Sequence, residues 1–218
     1  MSLVEIMVVL LLWMIVLGAL YMILIQGSVI FKRGEKNVEA QQQAMLAMTA
    51  LDNCMRESSF KSVMFREVSN KDYVYADFPI DRVMSVKAVC CLSAKDNNNA
   101  FIYNEASGLP MWQKYTEFYL VDQDTVNNIH RYKLYMKSFN PSGSGFPSPV
   151  VKVPESEWIT NTISTVSDAK LIARNIIRID FQDPSLNQIE FTVVSNVDLQ
   201  KDGRYEESKM SQRVFFRN

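Results

Sequence analysis

From Ile6 to Ile25 the sequence reads IMVVLLLWMIVLGALYMILI, without one charged side chain. At about 1.5 Å rise per residue, roughly 20 helical residues span about 30 Å, the hydrocarbon thickness of a bilayer. Past Lys32 the chain turns polar, with frequent charges and short apolar runs. A membrane-length helix therefore precedes a water-facing body. The overall composition, 48% hydrophobic and 22% charged, is that of a globular protein and hides this asymmetry. At 218 residues there is room for one ordinary domain, or one domain plus an appendage.

The apolar run does not read as a secretory signal. No basic residue precedes it, it is long for a signal core, and no A-x-A-like cleavage site follows. A plain single-span anchor fits its length but not its flanks. Lys32, Arg33 and Lys36 lie on the C-terminal side with nothing positive before the run, which by the positive-inside rule would leave the body in the cytoplasm. Nor does an anchor gain from Glu5, a carboxylate at the edge of an apolar span, where a charge costs a few kcal/mol and is usually functional.

The segment Met1-Ser2-Leu3-Val4-Glu5-Ile6-Met7-Val8-Val9 resembles the start of a mature type IV pilin or pseudopilin. In that family a prepilin peptidase removes a short basic leader ending in glycine, and the new first residue is N-methylated. Ser2, Leu3, Val4 and Glu5 match the pattern position for position. Met1 stands where the family more often has Phe, and is read as the methylated residue, the alternative being an initiator methionine. A basic leader would also resolve the charge asymmetry by holding the N-terminus on the cytoplasmic side. The resemblance implies that Glu5 neutralises the Met1 α-amine of a neighbouring subunit within a bundle of apolar helices. A mis-registered subunit would leave both charges unpaired, so such a pair acts more as a register device than as a source of net stability.

The implied protein is a structural subunit of a type IV pilus or of a pilus-like type II secretion filament. It would be held in the bacterial inner membrane with its body in the periplasm before assembly. Its partners would be copies of itself or other pilins, together with the peptidase, a cytoplasmic assembly ATPase and an inner-membrane platform protein. The helix segment Ala44 to Arg56, the Tyr119…His130-Arg131 hairpin and the terminal Val214 to Asn218 resemble W-type minor pilins and minor pseudopilin J, while major versus minor rank stays open. The competing reading is a single-span membrane-anchored extracytoplasmic binding module.

Helical periodicity continues past the span. Ala44, Ala47, Met48, Leu51, Cys54 and Met55 form one apolar stripe, which predicts a helix from near Ser2 to about Ser58. Residues 1–27 are the apolar spine, 28–60 the amphipathic half and 61–218 a β-rich head. Gly18, Gly27 and Gly34 mark where the helix would melt, if it is not continuous. The head reads as strands at Tyr73–Tyr75, Val83–Leu92, Glu117–Val121, Ile129–Met136, Ile176–Phe181, Ile189–Val194 and Arg213–Phe216. A polar turn is expected over Asp122–Asn128, a loop over Pro141–Pro154 and a short helix within Ser156–Ala173. The predicted class is α+β, a long helix packed on an antiparallel sheet.

Three cysteines, Cys54, Cys90 and Cys91, have no CxxC spacing, and His130 is the only histidine, so a Cys/His zinc site is not supported. Outside the cytoplasm, a disulfide from Cys54 to Cys90 or to Cys91 is one reading; three small buried residues is the other. Asp122 and Asp124 lack the glycine and closing glutamate of a calcium loop. No nucleotide-binding or hydrolase motif is present, and with a net charge of −1 and no basic cluster nothing points to nucleic acid. No catalytic residue, metal or cofactor is expected.

Overall fold

The computed structural model describes residues 2–59, 62–69, 72–74, 82–96, 98, 100–126, 129–139, 169–185, 188–198 and 205–215. Helix α1 runs unbroken over Leu3–Glu57. Among the described residues eight strands follow: β1 Met64–Glu67, β2 Asp72–Val74, β3 Met84–Ser93, β4 Lys114–Val126, β5 Ile129–Phe139, β6 Lys170–Ser185, β7 Gln188–Asp198 and β8 Tyr205–Phe215. All pairings between these strands are antiparallel, in the order β2-β1-β3-β4-β5-β6-β7-β8. The chain is thus a long helix carrying an α+β head.

The helix begins and ends where its polar residues cap it. Ser2 is the N-cap, and Ser58, with extended backbone, closes the other end. Across its second half α1 buries Ala40, Ala44, Ala47, Leu51 and Met55, the spacing of a single face. That face lies on β6, β7 and β8, with its last turns near β3. The alanines allow close approach. Ser195 Oγ on β7 donates to the Ala40 carbonyl at 2.6 Å, and Gln43 Oε1 accepts from the Arg174 backbone N–H on β6 at 2.8 Å.

Both faces of the sheet carry apolar clusters, because successive strand residues point to opposite sides. The helix-side core joins Leu51 and Met55 to Phe65, Val89, Cys91, Phe118, Leu134 and Ile176. Within it the Phe181 ring lies 4.7 Å from Phe65 and 5.7 Å from Phe191. The far side gathers Met64, Ala88, Cys90, Leu92, Trp112, Tyr115 and Tyr119.

The sheet is not a simple ribbon. β3 pairs with β4 from Ala88 onward, while its first residues Met84–Val86 pair with β6. β3, β4, β5 and β6 therefore close a four-strand circuit. Bulges ease the closure: β4 shifts register between Asp122 and Asp124, and β5 to β6 shifts between Tyr132 and Leu134. At the β6 bulge Asn175 takes a positive φ of 57°, a conformation its short amide tolerates. Gln123 and Asn175 exchange two hydrogen bonds there, at 3.0 and 3.2 Å.

Several expectations need correction. The span Asp122–Asn128 is not an open polar turn: Asp122 to Val126 is strand, paired with Ile129 to Tyr132. The polar side chains are satisfied across the hairpin, where Arg131 Nε donates to Asp124 Oδ1 at 2.7 Å. Lys170 to Ala173 is strand rather than the end of a helix, because backbone pairing with Leu134 to Met136 outweighs local propensity. The closing strand β8 starts at Tyr205, well before Arg213. Tyr75, the loop Pro141–Pro154, residues 156–168 of the expected short helix and Phe216 lie outside the described residues.

Candidate functional site

The first turn of α1 is a capping box. The Ser2 backbone N–H donates to Glu5 Oε2 at 2.8 Å, and the Glu5 backbone N–H donates to Ser2 Oγ at 3.3 Å. The Ser2 N–H is thereby satisfied at the positive end of the helix dipole, where a carboxylate is favoured, and the Glu5 N–H is shared between Ser2 Oγ and the Ser2 carbonyl, the latter at 3.1 Å. Glu5 therefore has a local role that its position in the apolar run did not reveal. The S-x-x-E spacing was the available signal. Met1, whose amine is the other half of the expected intersubunit pair, lies outside the described residues.

Every residue from Ser2 to Glu35 is exposed. The helix is long and apolar enough to cross a membrane, and none of its most apolar 18-residue window is buried within the chain. Among the described residues, a Cβ added at Gly18, Gly27 or Gly34 would meet nothing within 4 Å.

The apolar surface does not stop where a bilayer would. Phe31, Val38 and Met45 are 74%, 51% and 61% exposed, one every seven residues. At about 100° per residue this row falls opposite the Ala40–Ala44–Ala47–Leu51 face that packs on the sheet. Met45 stands about 60 Å along the helix from Leu3, roughly twice the hydrocarbon thickness. Sequence reading isolated the inward stripe and missed this outward one, because three large apolar residues among Gln and Glu give a weak periodic signal.

The cysteines part company. Cys91 lies in the helix-side core with Cys54 packed against it, whereas Cys90 belongs to the far-side cluster. All three are free thiols. A hydrogen bond with Cys54, together with burial, pushes the Cys91 thiol well above the usual range. Burial first, then the nearby Glu117 and Cys54, does the same for Cys90.

Glu117 was not anticipated. It is fully buried on β4, paired in register with Cys90 on one side and Lys137 on the other. Neither carboxylate oxygen has a hydrogen-bond partner among the described residues. Burial raises its pKa to about 8 against the opposing pull of Arg66 and Lys137, so at neutral pH it is held largely protonated. Arg66 itself is committed to Asp72, with two contacts at 2.7 and 2.8 Å.

His130 stacks beside Tyr132, ring centroids 6.4 Å apart, and its Nδ1 lies 3.2 Å from Thr125 Oγ1. Among the described residues no group of three His, Cys, Asp or Glu side chains is placed to hold a metal ion. Comparison with family profiles, with curated proteins and with solved structures gave no match. The geometry therefore has to carry the functional reading by itself.

Proposed function

We propose that this chain is a structural subunit of a type IV pilus-like filament, inserted in a membrane before assembly and polymerised through α1. The carrying observation is that exposed apolar side chains continue past the membrane-length run, as Phe31, Val38 and Met45 along one face of α1 with polar residues between them. A bilayer covers about 20 residues of a helix and leaves the outer row of the amphipathic half in water. Packing against the helices of neighbouring copies covers the whole length. Head-to-tail contacts that do not close generate an open helical polymer.

Within this reading Glu5 sits at the helix start, where a neighbour's terminal amine is its natural counter-charge in an apolar bundle. The capping box holds the carboxylate close to the helix axis before that neighbour arrives. The glycines at 18, 27 and 34 have open space around them, which admits close approach of another helix.

A second reading is a single-span anchor carrying an extracytoplasmic binding head. What favours it is the capping box, which gives Glu5 a purpose without any neighbour. Val38→Glu separates the two. Val38 is half exposed and lies past the most apolar stretch, so the change should leave folding and membrane insertion intact. The filament reading expects the variant to accumulate in the membrane fraction and to be excluded from sheared filaments. Incorporation at the normal level would count against it.

A further inference from the structure

The end of the spine is tied to β3 and to Lys95, two residues beyond that strand. Glu57 Oε1 accepts from Lys95 Nζ at 2.7 Å, and Ser58 Oγ accepts from the Leu92 backbone N–H at 3.1 Å. Ser58 and Cys54 lie four residues apart and so share one face of the helix. Leu92 and Cys91 are adjacent in β3. This alignment sets Cys54 toward Cys91, and both thiols belong to the helix-side core, Cys91 buried in it and Cys54 packed against it.

We propose that Cys54 and Cys91 form a disulfide that fastens the end of the spine helix to the sheet, leaving Cys90 as a thiol on the far face. Strand alternation excludes the other pairings. Cys90 pairs with Glu117 and Cys91 with Thr116 in the β4 ladder, so the vicinal side chains point to opposite faces and cannot reach each other. A Cys54–Cys90 bond would have to cross the sheet. Cys54, the partly exposed thiol, is the one an incoming oxidant meets first.

The oxidant required is a disulfide of a thiol-oxidising protein or small molecule. The Cys54 thiolate attacks one of its sulfurs, giving a mixed disulfide and releasing the first carrier thiol. Cys91 then attacks Cys54 Sγ, its proton passing to the second departing carrier sulfur. Two cysteine thiols are oxidised, and one carrier disulfide is reduced to two thiols. Encounter with such a carrier inside the cell depends on the head lying outside the cytoplasm, and to that extent the inference rests on the proposed function. A filament under tension pulls on the spine. A covalent tie at its head end would stop the helix from peeling off β3.

Purified full-length chain in detergent micelles, oxidised with glutathione disulfide, tests the pairing by intact mass and peptide mapping. The expected result is loss of two hydrogens, unchanged in Cys90→Ser and abolished in Cys91→Ser and in Cys54→Ser. A cross-link that persists in Cys91→Ser, or one absent from folded wild-type chain under these conditions, would overturn the inference. Rapid acid quenching and alkylation of cells adds the second arm. Cross-linked chain in cells supports both the pair and the head's location. A pair that forms in vitro but stays reduced in cells supports the geometry and counts against the extracytoplasmic reading.

Discussion

Ser2 and Glu5 satisfy each other's backbone N–H groups across the first turn of the helix, at 2.8 and 3.3 Å. The Glu5 side chain caps its own helix and, in the proposed filament, would also supply a charge to another subunit. Ser2→Ala removes the hydroxyl half of the box and leaves the Glu5 carboxylate in place. It should cost about 1 kcal/mol at the helix start, read as faster amide exchange in the first turn of the micelle-bound chain, with Ser2→Thr close to wild type. Unchanged exchange would mean that the cap is not formed in solution.

Glu117 makes the head sensitive to pH. Its folded pKa, about 8, lies above the ordinary 4.5, so the folded state holds a proton that the unfolded state releases. Stability is complete below about pH 4.5 and declines as pH rises through about 8, by an amount on the order of a few kcal/mol. Glu117→Gln should flatten this dependence and raise the urea midpoint at pH 8. A wild-type midpoint that climbs over the same range would reverse the sign and refute the assignment.

The two faces of the amphipathic helix should respond oppositely. Leu51 is fully buried in the core, and Leu51→Ala should lower stability by about 2–4 kcal/mol in denaturant titration of the whole chain. Met45 is 61% exposed, and Met45→Ala should stay within about 0.5 kcal/mol. An equal cost at both positions would mean that α1 is rotated relative to the sheet.

The helix was legible because its signals agree: an uncharged run, one inward stripe from Ala44 to Met55, and serines at both ends. The strands were legible where apolar residues alternate, as from Val83 to Leu92. They were missed where backbone pairing does the stabilising. Tyr205 to Gln212 forms an edge strand bonded to β7 in which Glu207, Lys209 and Ser211 are exposed, and Asp122 to Val126 extends a hairpin in which Asp124 pairs with Arg131. Periodicity registers apolar burial, and neither segment has much of it. Bulges such as that at Asn175 depend on closure of β3 against β6, a contact with no local trace in sequence. At the site the position of Glu5 was legible while its bond to Ser2 went unread, and the choice between Cys90 and Cys91 needed the strand's facing. Glu117 could not be told from a surface glutamate until both of its neighbouring strands were placed.

Glu5→Gln separates the cap from the charge. Glutamine at the third helical position still accepts from the Ser2 N–H, so the box can persist while the carboxylate is gone. Filaments sheared from cells expressing this variant in place of the wild-type chain, counted by electron microscopy and immunoblotting, test the filament claim most directly. The expected result is normal accumulation of the subunit in the membrane with its incorporation into filaments lost or sharply reduced. Wild-type incorporation of Glu5→Gln would reduce Glu5 to a helix cap and contradict assembly through a buried charge pair.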